Sequence, residues 1–345
     1  MRYKLLGKSG LKVSELCLGT MTFGEEWGWG SSKEESKTVF DAFVEAGGNF
    51  IDTADLYTNG TSEEYCGDFM AGNRDYFVLA TKYTNAAPGN DPNQAGNSRK
   101  NMIQSVEASL RRMKTDYIDL YWVHAWDGYT PVAEIMRGLD DLVTAGKIRY
   151  IAVSDWPAWI VSRANTLAEL KGWSEFVALQ VEYSLVERTS ERELIPMAKE
   201  MDIAILPWSP LASGMLTGKF SRGGGSDGNN RLDVSEFRKI DERGLKIAKA
   251  VDTIADELGK SSAQVALNWV KQQHDTIPII GARKVSQLKD NIACLEFTLG
   301  EEHVNQLNEV SAIELGFPHD FLNAELVRNF YTAGFADRID NHRKK

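Results

Sequence analysis

The feature that most restricts how this chain can fold is a repeated alternation. Short runs rich in Val, Ile, Leu and Phe recur, each followed by a segment of amphipathic helical period. The runs fall at residues 15–18, 50–52, 77–81, 118–123, 148–153, 178–181, 204–206 and 276–280. A strand that is apolar throughout is buried on both faces, as parallel strands covered by helices are. Helix punctuation separates the runs. Ser32 and Glu35 make a capping box ahead of Val39, Phe40, Phe43 and Val44, and Gly47-Gly48 ends that helix. Ile103, Val106, Leu110 and Met113 form a stripe at three- and four-residue spacing. Thr130 and Pro131 read as an N-cap and a first-turn proline, with Gly146 as the stop. Eight such units predict a (β/α)8 TIM barrel that takes residues 1–345 as one domain. An open doubly wound sheet with a second domain is weaker, because nothing between Gly19 and Gly281 reads as a linker.

Two segments interrupt the repeat. Residues 209–237 make a long loop after strand 7, and its tract 223–230 is too polar and glycine-rich to be ordered alone. Beyond strand 8, residues 301–313 and 325–330 read as extra C-terminal helices, followed by the charged tail Arg343-Lys344-Lys345.

Composition narrows the partners. With 49 acidic against 39 basic residues the formal charge is -10, which suits neither nucleic acid nor an anionic membrane. An anionic ligand would need positive charge concentrated locally. Cys17, Cys66 and Cys294 are too far apart for a disulfide framework or a CxxC site, and a reducing compartment fits them best. The first residues lack the apolar stretch of a signal peptide, and no run reaches the length of a membrane span. The expectation is a soluble cytoplasmic protein with a small-molecule partner and an open oligomeric state.

Motifs remove further classes. Gly223, Gly225 and Gly228 satisfy GxGxxG, but no strand precedes them and no helix follows, so the match is accidental. The five histidines show no metal-binding spacing, so no metal is expected, and no GxSxG elbow is present. Barrel enzymes keep their chemistry at the C-terminal strand ends. There the sequence places Asp52, Lys82 and His124, with Tyr57 on the loop five residues after Asp52. Singly, each reads more readily as a packing or core residue; together at one mouth they read as an acid–base site. A phenol titrates near ~10 and is a poor proton donor at neutral pH unless a neighbouring ammonium favours the phenolate. Lys82 would supply that ammonium, Asp52 would keep it charged, and His124 would orient a substrate oxygen. Without a nucleophile or a metal, the set suits proton delivery to a carbonyl oxygen while a reduced nicotinamide supplies hydride.

At these residues the sequence resembles the aldo-keto reductase superfamily. The likeness begins at Gly7-Lys8-Ser9-Gly10-Leu11 and Leu18-Gly19-Thr20-Met21 and runs through Asp52-Thr53-Ala54-Asp55-Leu56-Tyr57. It continues in Leu110-Arg111-Arg112-Met113, Asp116-Tyr117-Ile118-Asp119-Leu120-Tyr121 and His124, then Gln180-Val181-Glu182-Tyr183-Ser184, Trp208-Ser209-Pro210-Leu211-Ala212 and Gly281-Ala282-Arg283. The resemblance implies a nicotinamide-dependent carbonyl reductase with Asp52, Tyr57, Lys82 and His124 as its catalytic tetrad. It implies Trp208 against the nicotinamide, Ser154 and Gln180 on the carboxamide, and Gly19, Thr20 and Met21 at the first strand end. Ser209, Pro210, Leu211, Gly214 and Leu216, with Lys219, would wrap the pyrophosphate beneath a glycine-rich latch. Arg283, Gln287 and Asn291 would hold the adenosine end, which favours NADP(H) over NAD(H). Two departures stand out. Asp155 occupies a place where many members have Asn, and Gly281 and Gln287 replace basic residues common in reductases. Phe23, Trp27, Trp29, Tyr83 and Trp126 are the expected substrate-pocket aromatics. Likeness to the voltage-gated potassium-channel β-subunit branch opens a second reading, a nicotinamide-binding regulatory protein with vestigial catalysis.

Overall fold

A computed structural model describes residues 1–87, 89, 91–223 and 241–340. An N-terminal hairpin of β1 (Tyr3–Leu5) and β2 (Lys12–Ser14) precedes an alternating series. The series runs β3 (Cys17–Gly19), α1 (Lys33–Glu45), β4 (Phe50–Asp52), α2 (Thr61–Phe69), β5 (Val78–Tyr83) and α3 (Arg99–Met113). It continues β6 (Ile118–Val123), α4 (Val132–Thr144), β7 (Ile148–Ser154), α5 (Ala158–Lys171), β8 (Phe176–Glu182), α6 (Leu194–Glu200) and β9 (Ala204–Trp208). After β9 come α7 (Glu242–Leu258), α8 (Ser262–Gln272), β10 (Ile279–Ile280), α9 (Val285–Ile292), α10 (Glu301–Val310), α11 (His319–Asn323) and α12 (Glu325–Tyr331). The expected latch, residues 223–230, lies outside the described residues except for Gly223, as does the charged tail.

Strands β3 to β10 form one parallel sheet in the order β10-β3-β4-β5-β6-β7-β8-β9. The ladder closes the ring at every neighbour except β9 and β10, so the (β/α)8 barrel is nearly complete with one seam. A single backbone bond, Ile277 N–H to the Ile205 carbonyl at 2.9 Å, crosses that seam just before β10.

Burial divides the core in two. A large cluster, including Val39, Phe40, Tyr121 and Val161, fills the layer between strands and helices. A smaller one inside the barrel contains Leu6, Val13, Cys17, Phe50, Val78, Leu120, Ala152 and Ala178. Leu6 and Val13 come from the hairpin, which plugs the end of the barrel where the strands begin. Gly7 makes that plug fit: it has φ +52°, and an added Cβ would lie 2.4 Å from the Val177 carbonyl oxygen. The hairpin was not anticipated from sequence.

The expected elements need small adjustments. β4 and β6 coincide with their apolar runs, whereas β8 and β9 extend beyond theirs and β10 shrinks to two residues. Ser32 and Glu35 form the reciprocal capping box of α1. Pro131 is the N-cap of α4 rather than its first helical residue, and the Thr130 hydroxyl instead donates to Asp127 Oδ2 at 2.7 Å. Among the described residues no helix is long and apolar enough to cross a membrane.

Candidate active site

Alternate residues of a strand face the same side of the sheet, so each barrel strand sends every second side chain inward. Along β5, Val78 and Ala80 belong to the inner apolar cluster, and Lys82 is the next residue in that row. Phe50 leads in the same way to Asp52 in β4, and Ala152 leads to Ser154 in β7. In β8 the row runs Ala178, Gln180, Glu182, and in β9 it runs Ala204, Leu206, Trp208. Leu120 and Trp122 of β6 point on to His124, whose N–H bonds the Tyr83 carbonyl at 3.0 Å. Polar groups therefore occupy the last inward rung of one strand after another, above an apolar plug. Lys82 lies inside β5 rather than after it, because that strand runs on to Tyr83.

An ammonium has three hydrogens to donate, and Lys82 has three acceptors. Its Nζ lies 2.6 Å from Asp52 Oδ2, 2.7 Å from the Thr53 carbonyl and 3.3 Å from the Tyr57 hydroxyl. The Lys82 side chain is fully buried and that of Asp52 nearly so. Burial pulls the ammonium down, yet the Asp52 carboxylate and the Tyr57 oxygen outweigh it and hold Lys82 above its ordinary range. Gln180 completes the support by donating from Nε2 to Asp52 Oδ1 at 3.2 Å. An ion pair this deep contributes little to stability by itself, because desolvation offsets most of the attraction.

Tyr57 is placed by a strained turn. Thr58, Asn59 and Gly60 follow it with φ of 46°, 57° and 99°, a left-handed run that only Gly adopts freely. The buried Thr58 hydroxyl pins that run, donating to the Phe23 carbonyl at 2.6 Å and accepting from Ser62 N–H at 3.1 Å. The Tyr57 ring stands nearly perpendicular to that of His124, with centroids 6.0 Å apart. Burial and the nearby Lys82 push the His124 imidazole down to about 3, so it is neutral at physiological pH, and its Nδ1 is buried without a hydrogen-bond partner. A phenol backed by an ammonium and flanked by a neutral imidazole can pass a proton to an oxygen bound between them.

That oxygen would lie in a cavity of about 1130 Å³ over the strand ends. Asp52, Tyr57 and His124 line it, as do Gly19, Met21, Ser154, Asp155, Gln180 and Trp208. Its far end is bordered by Ser209, Pro210, Leu211, Gly214 and Lys219 on one side and by Gly281, Arg283, Gln287 and Asn291 on the other. Ser209, Ser213 and Gly214 all have positive φ, so the chain doubles back along the cavity edge. The Gln287 side chain accepts from Arg283 N–H at 3.0 Å, and Asn291 donates to the Gly281 carbonyl at 3.3 Å, which fixes the segment carrying Arg283. A cavity lined both by these acid–base groups and by Lys219 and Arg283 fits a dinucleotide phosphate by the chemistry of its donors.

Several expected residues lie elsewhere. Thr20 sits behind the cavity wall, donating to the Asp52 carbonyl at 3.0 Å, and Leu216 is fully buried in the core. Of the substrate aromatics, Trp27 and Trp29 line the cavity, with centroids 5.9 Å apart and Trp27 6.3 Å from Tyr57. Phe23 and Tyr83 do not reach it. Phe23 packs edge-on against Phe69, and Tyr83 stacks on Tyr121 at 5.3 Å, because their side chains face the helices. Trp126 packs against Trp159 on the rim, outside the lining. Leu56, Asn85, Glu182 and, from α8, Ala263 and Leu267 line the cavity without having been anticipated. Counting two residues on from Gln180 would have found Glu182.

The Asp155 side chain faces Trp208, whose indole N–H donates to Asp155 Oδ1 at 3.1 Å. Asp155 is exposed and lines the cavity, yet desolvation pushes its carboxyl up, and the indole bond pulls against that shift.

The sequence pattern of the Aldo/keto reductase family matches residues 15–312. The chain is 39% identical over 330 residues to an aryl-alcohol dehydrogenase (NADP+) of Phanerodontia chrysosporium, covering 90% of this chain and 86% of that protein. It is 38% identical over 331 residues to a norsolorinic acid reductase of Aspergillus flavus, covering 92% and 83%. Norsolorinic acid reductase B of Dothistroma septosporum is 37% identical over 341 residues, covering 94% and 86%.

Proposed function

This chain belongs to the aldo/keto reductase family and is an oxidoreductase of carbonyl compounds, and from that premise we propose that it reduces an aromatic aldehyde or ketone to the alcohol with NADPH, Tyr57 giving the proton. The observation that carries the proposal is the Lys82 ammonium, whose bonds to Asp52, Thr53 and Tyr57 aim it at one phenol on the cavity wall. Bound NADPH supplies the hydride. The substrate oxygen rests between Tyr57 and the neutral His124, whose ring orients it. As Tyr57 releases its proton, the ammonium 3.3 Å away stabilises the charge left on the phenolate oxygen. Asp52 and Gln180 keep that ammonium in place throughout. Ser154, Gln180 and Trp208 would hold the nicotinamide beside the carbonyl, and Lys219 and Arg283 the phosphates, Arg283 favouring NADPH over NADH.

The aromatic character of the substrate is supported by Trp27 and Trp29 beside Tyr57 and by relatives that are named for aryl alcohols and for norsolorinic acid. A panel of aromatic and aliphatic carbonyls, assayed by NADPH and NADH oxidation, tests the reading. Activity is expected on the aromatic members with NADPH, lost by more than a thousandfold in Tyr57→Phe while NADPH affinity stays within about twofold. Turnover retained by Tyr57→Phe would remove Tyr57 from the role.

A further inference from the structure

The strand ends next to Tyr57 carry two carboxyl side chains, Asp155 and Glu182, that proton transfer does not use. Asp155 and Glu182 line the same cavity as Tyr57 and His124, at the end of β7 and on β8; Glu182 is paired in register with Trp208 of β9, and Asp155 is hydrogen-bonded to it. The charged pair beneath them, Lys82 with Asp52, is internally balanced, and His124 is neutral. Asp155 accepts its hydrogen bond from an indole, a neutral donor, and among the described residues it forms no ion pair within 4.0 Å. Asp155 also stands in left-handed backbone, φ 53°; by period two it would follow the outward row of β7, yet it lines the cavity.

A nicotinamide ring is neutral when reduced and carries one positive charge when oxidised. A fixed carboxylate beside it distinguishes the two forms by Coulomb attraction alone, and does so most strongly when the ring displaces water from the wall. We infer that Asp155, assisted by Glu182, sets the redox poise of the bound cofactor by stabilising the oxidised form, and thereby assists hydride departure in the reducing direction. The inference rests on the cofactor reading above. The step it favours balances. The substrate carbon accepts one hydrogen with its two electrons, the C=O π pair moves to oxygen, and that oxygen takes the Tyr57 proton, which solvent restores. The positive charge that appears on the ring is the charge that Asp155 faces. A cost accompanies the gain: oxidised cofactor, the product of reduction, is held more tightly.

The test is binding rather than turnover. Purified enzyme is titrated with NADP+ and separately with NADPH at pH 8, following tryptophan fluorescence, in the wild type, Asp155→Asn and Glu182→Gln. An Asn side-chain oxygen can still accept the Trp208 N–H, so Asp155→Asn removes charge and keeps the contact. The expected result is a rise of about fivefold in the NADP+ Kd relative to the NADPH Kd. That equals an upward shift of about 20 mV in the midpoint potential of the bound couple. Glu182→Gln is expected to move the ratio the same way by about twofold, and it serves if Asp155→Asn does not fold. Binding of both cofactor forms with an unchanged ratio in the variants would overturn the inference alone. Failure of the wild type to bind either form would overturn the cofactor reading and this inference with it.

Discussion

The two ends of this barrel are built from the same strands, often from residues two apart, and they do opposite work. In β4, Phe50 belongs to the apolar plug and Asp52 to the charged mouth; in β5, Val78 and Lys82 divide in the same way. At the closed end, the hairpin residues Leu6 and Val13 are fully buried among apolar neighbours, and the free energy there is gained by removing carbon from water. At the open end, equally buried groups are held by ion pairs and hydrogen bonds that stabilise little by themselves but orient the side chains. Stability and chemistry are thus separated along a strand by one or two inward rungs, about 7 to 13 Å.

The sharpest way to break this contrast is at Lys82, where both properties meet. Lys82→Met should lower kcat/KM by at least a thousandfold, since the phenol loses its ammonium. It should also destabilise the fold by about 3 kcal/mol at pH 8, because Asp52 is left buried without its counter-charge. The sign of its pH dependence follows from that carboxyl. Its folded-state pKa rises above the unfolded value, so the penalty is full at high pH and fades as the pH falls and Asp52 takes a proton. Chemical denaturation at pH 8 and pH 5 measures this, and a penalty equal at both would refute the account. Replacing both members, as Lys82→Met with Asp52→Leu, should restore most of the stability and none of the activity.

Leu6→Ala sharpens the contrast from the other side. It should cost about 3 kcal/mol of unfolding free energy while leaving kcat/KM of the folded enzyme within about twofold. A large change in catalysis would mean that the plug transmits to the mouth.

The smallest effect is expected at Asp55, just behind the mouth. Burial first, then the neighbouring Glu63, pushes its carboxyl up to about 8, with Arg112 opposing. The folded state therefore keeps a proton that the unfolded chain loses near pH ~4, and stability falls as the pH rises between those values. Asp55→Asn should flatten that slope by on the order of 2 kcal/mol between pH 5 and pH 8, as read from denaturation midpoints.

Much of the barrel was legible because its strands are short, apolar and bounded by caps, and the ends of β4 and β6 coincide with the runs that betray them. The hairpin was not, since three-residue strands of mixed polarity carry too little pattern to separate from loop. The residues meeting at the mouth could be named, but the bonds between them could not. Gln180 supports Asp52 across 128 residues of sequence and Trp208 meets Asp155 across 53, and no local pattern encodes either contact. Phe23 and Tyr83 lie near strand ends, where pocket aromatics are expected, but a place near a strand end does not say which way a side chain faces. Period two within β5 assigns Tyr83 to the opposite side from Lys82.

The missing ladder between β9 and β10 gives the ring a mechanical character. A hoop stitched all round resists being spread, whereas a hoop with one gap opens there first, at the expense of a single backbone bond. The segments that follow those two strands carry Ser209 and Lys219 on one side and Arg283 on the other, so the gap sits directly under the cationic end of the cavity. Spreading of the ring would fall first on that split, and the continuous ladder from β4 to β6, next to Tyr57 and holding Lys82, would be disturbed least.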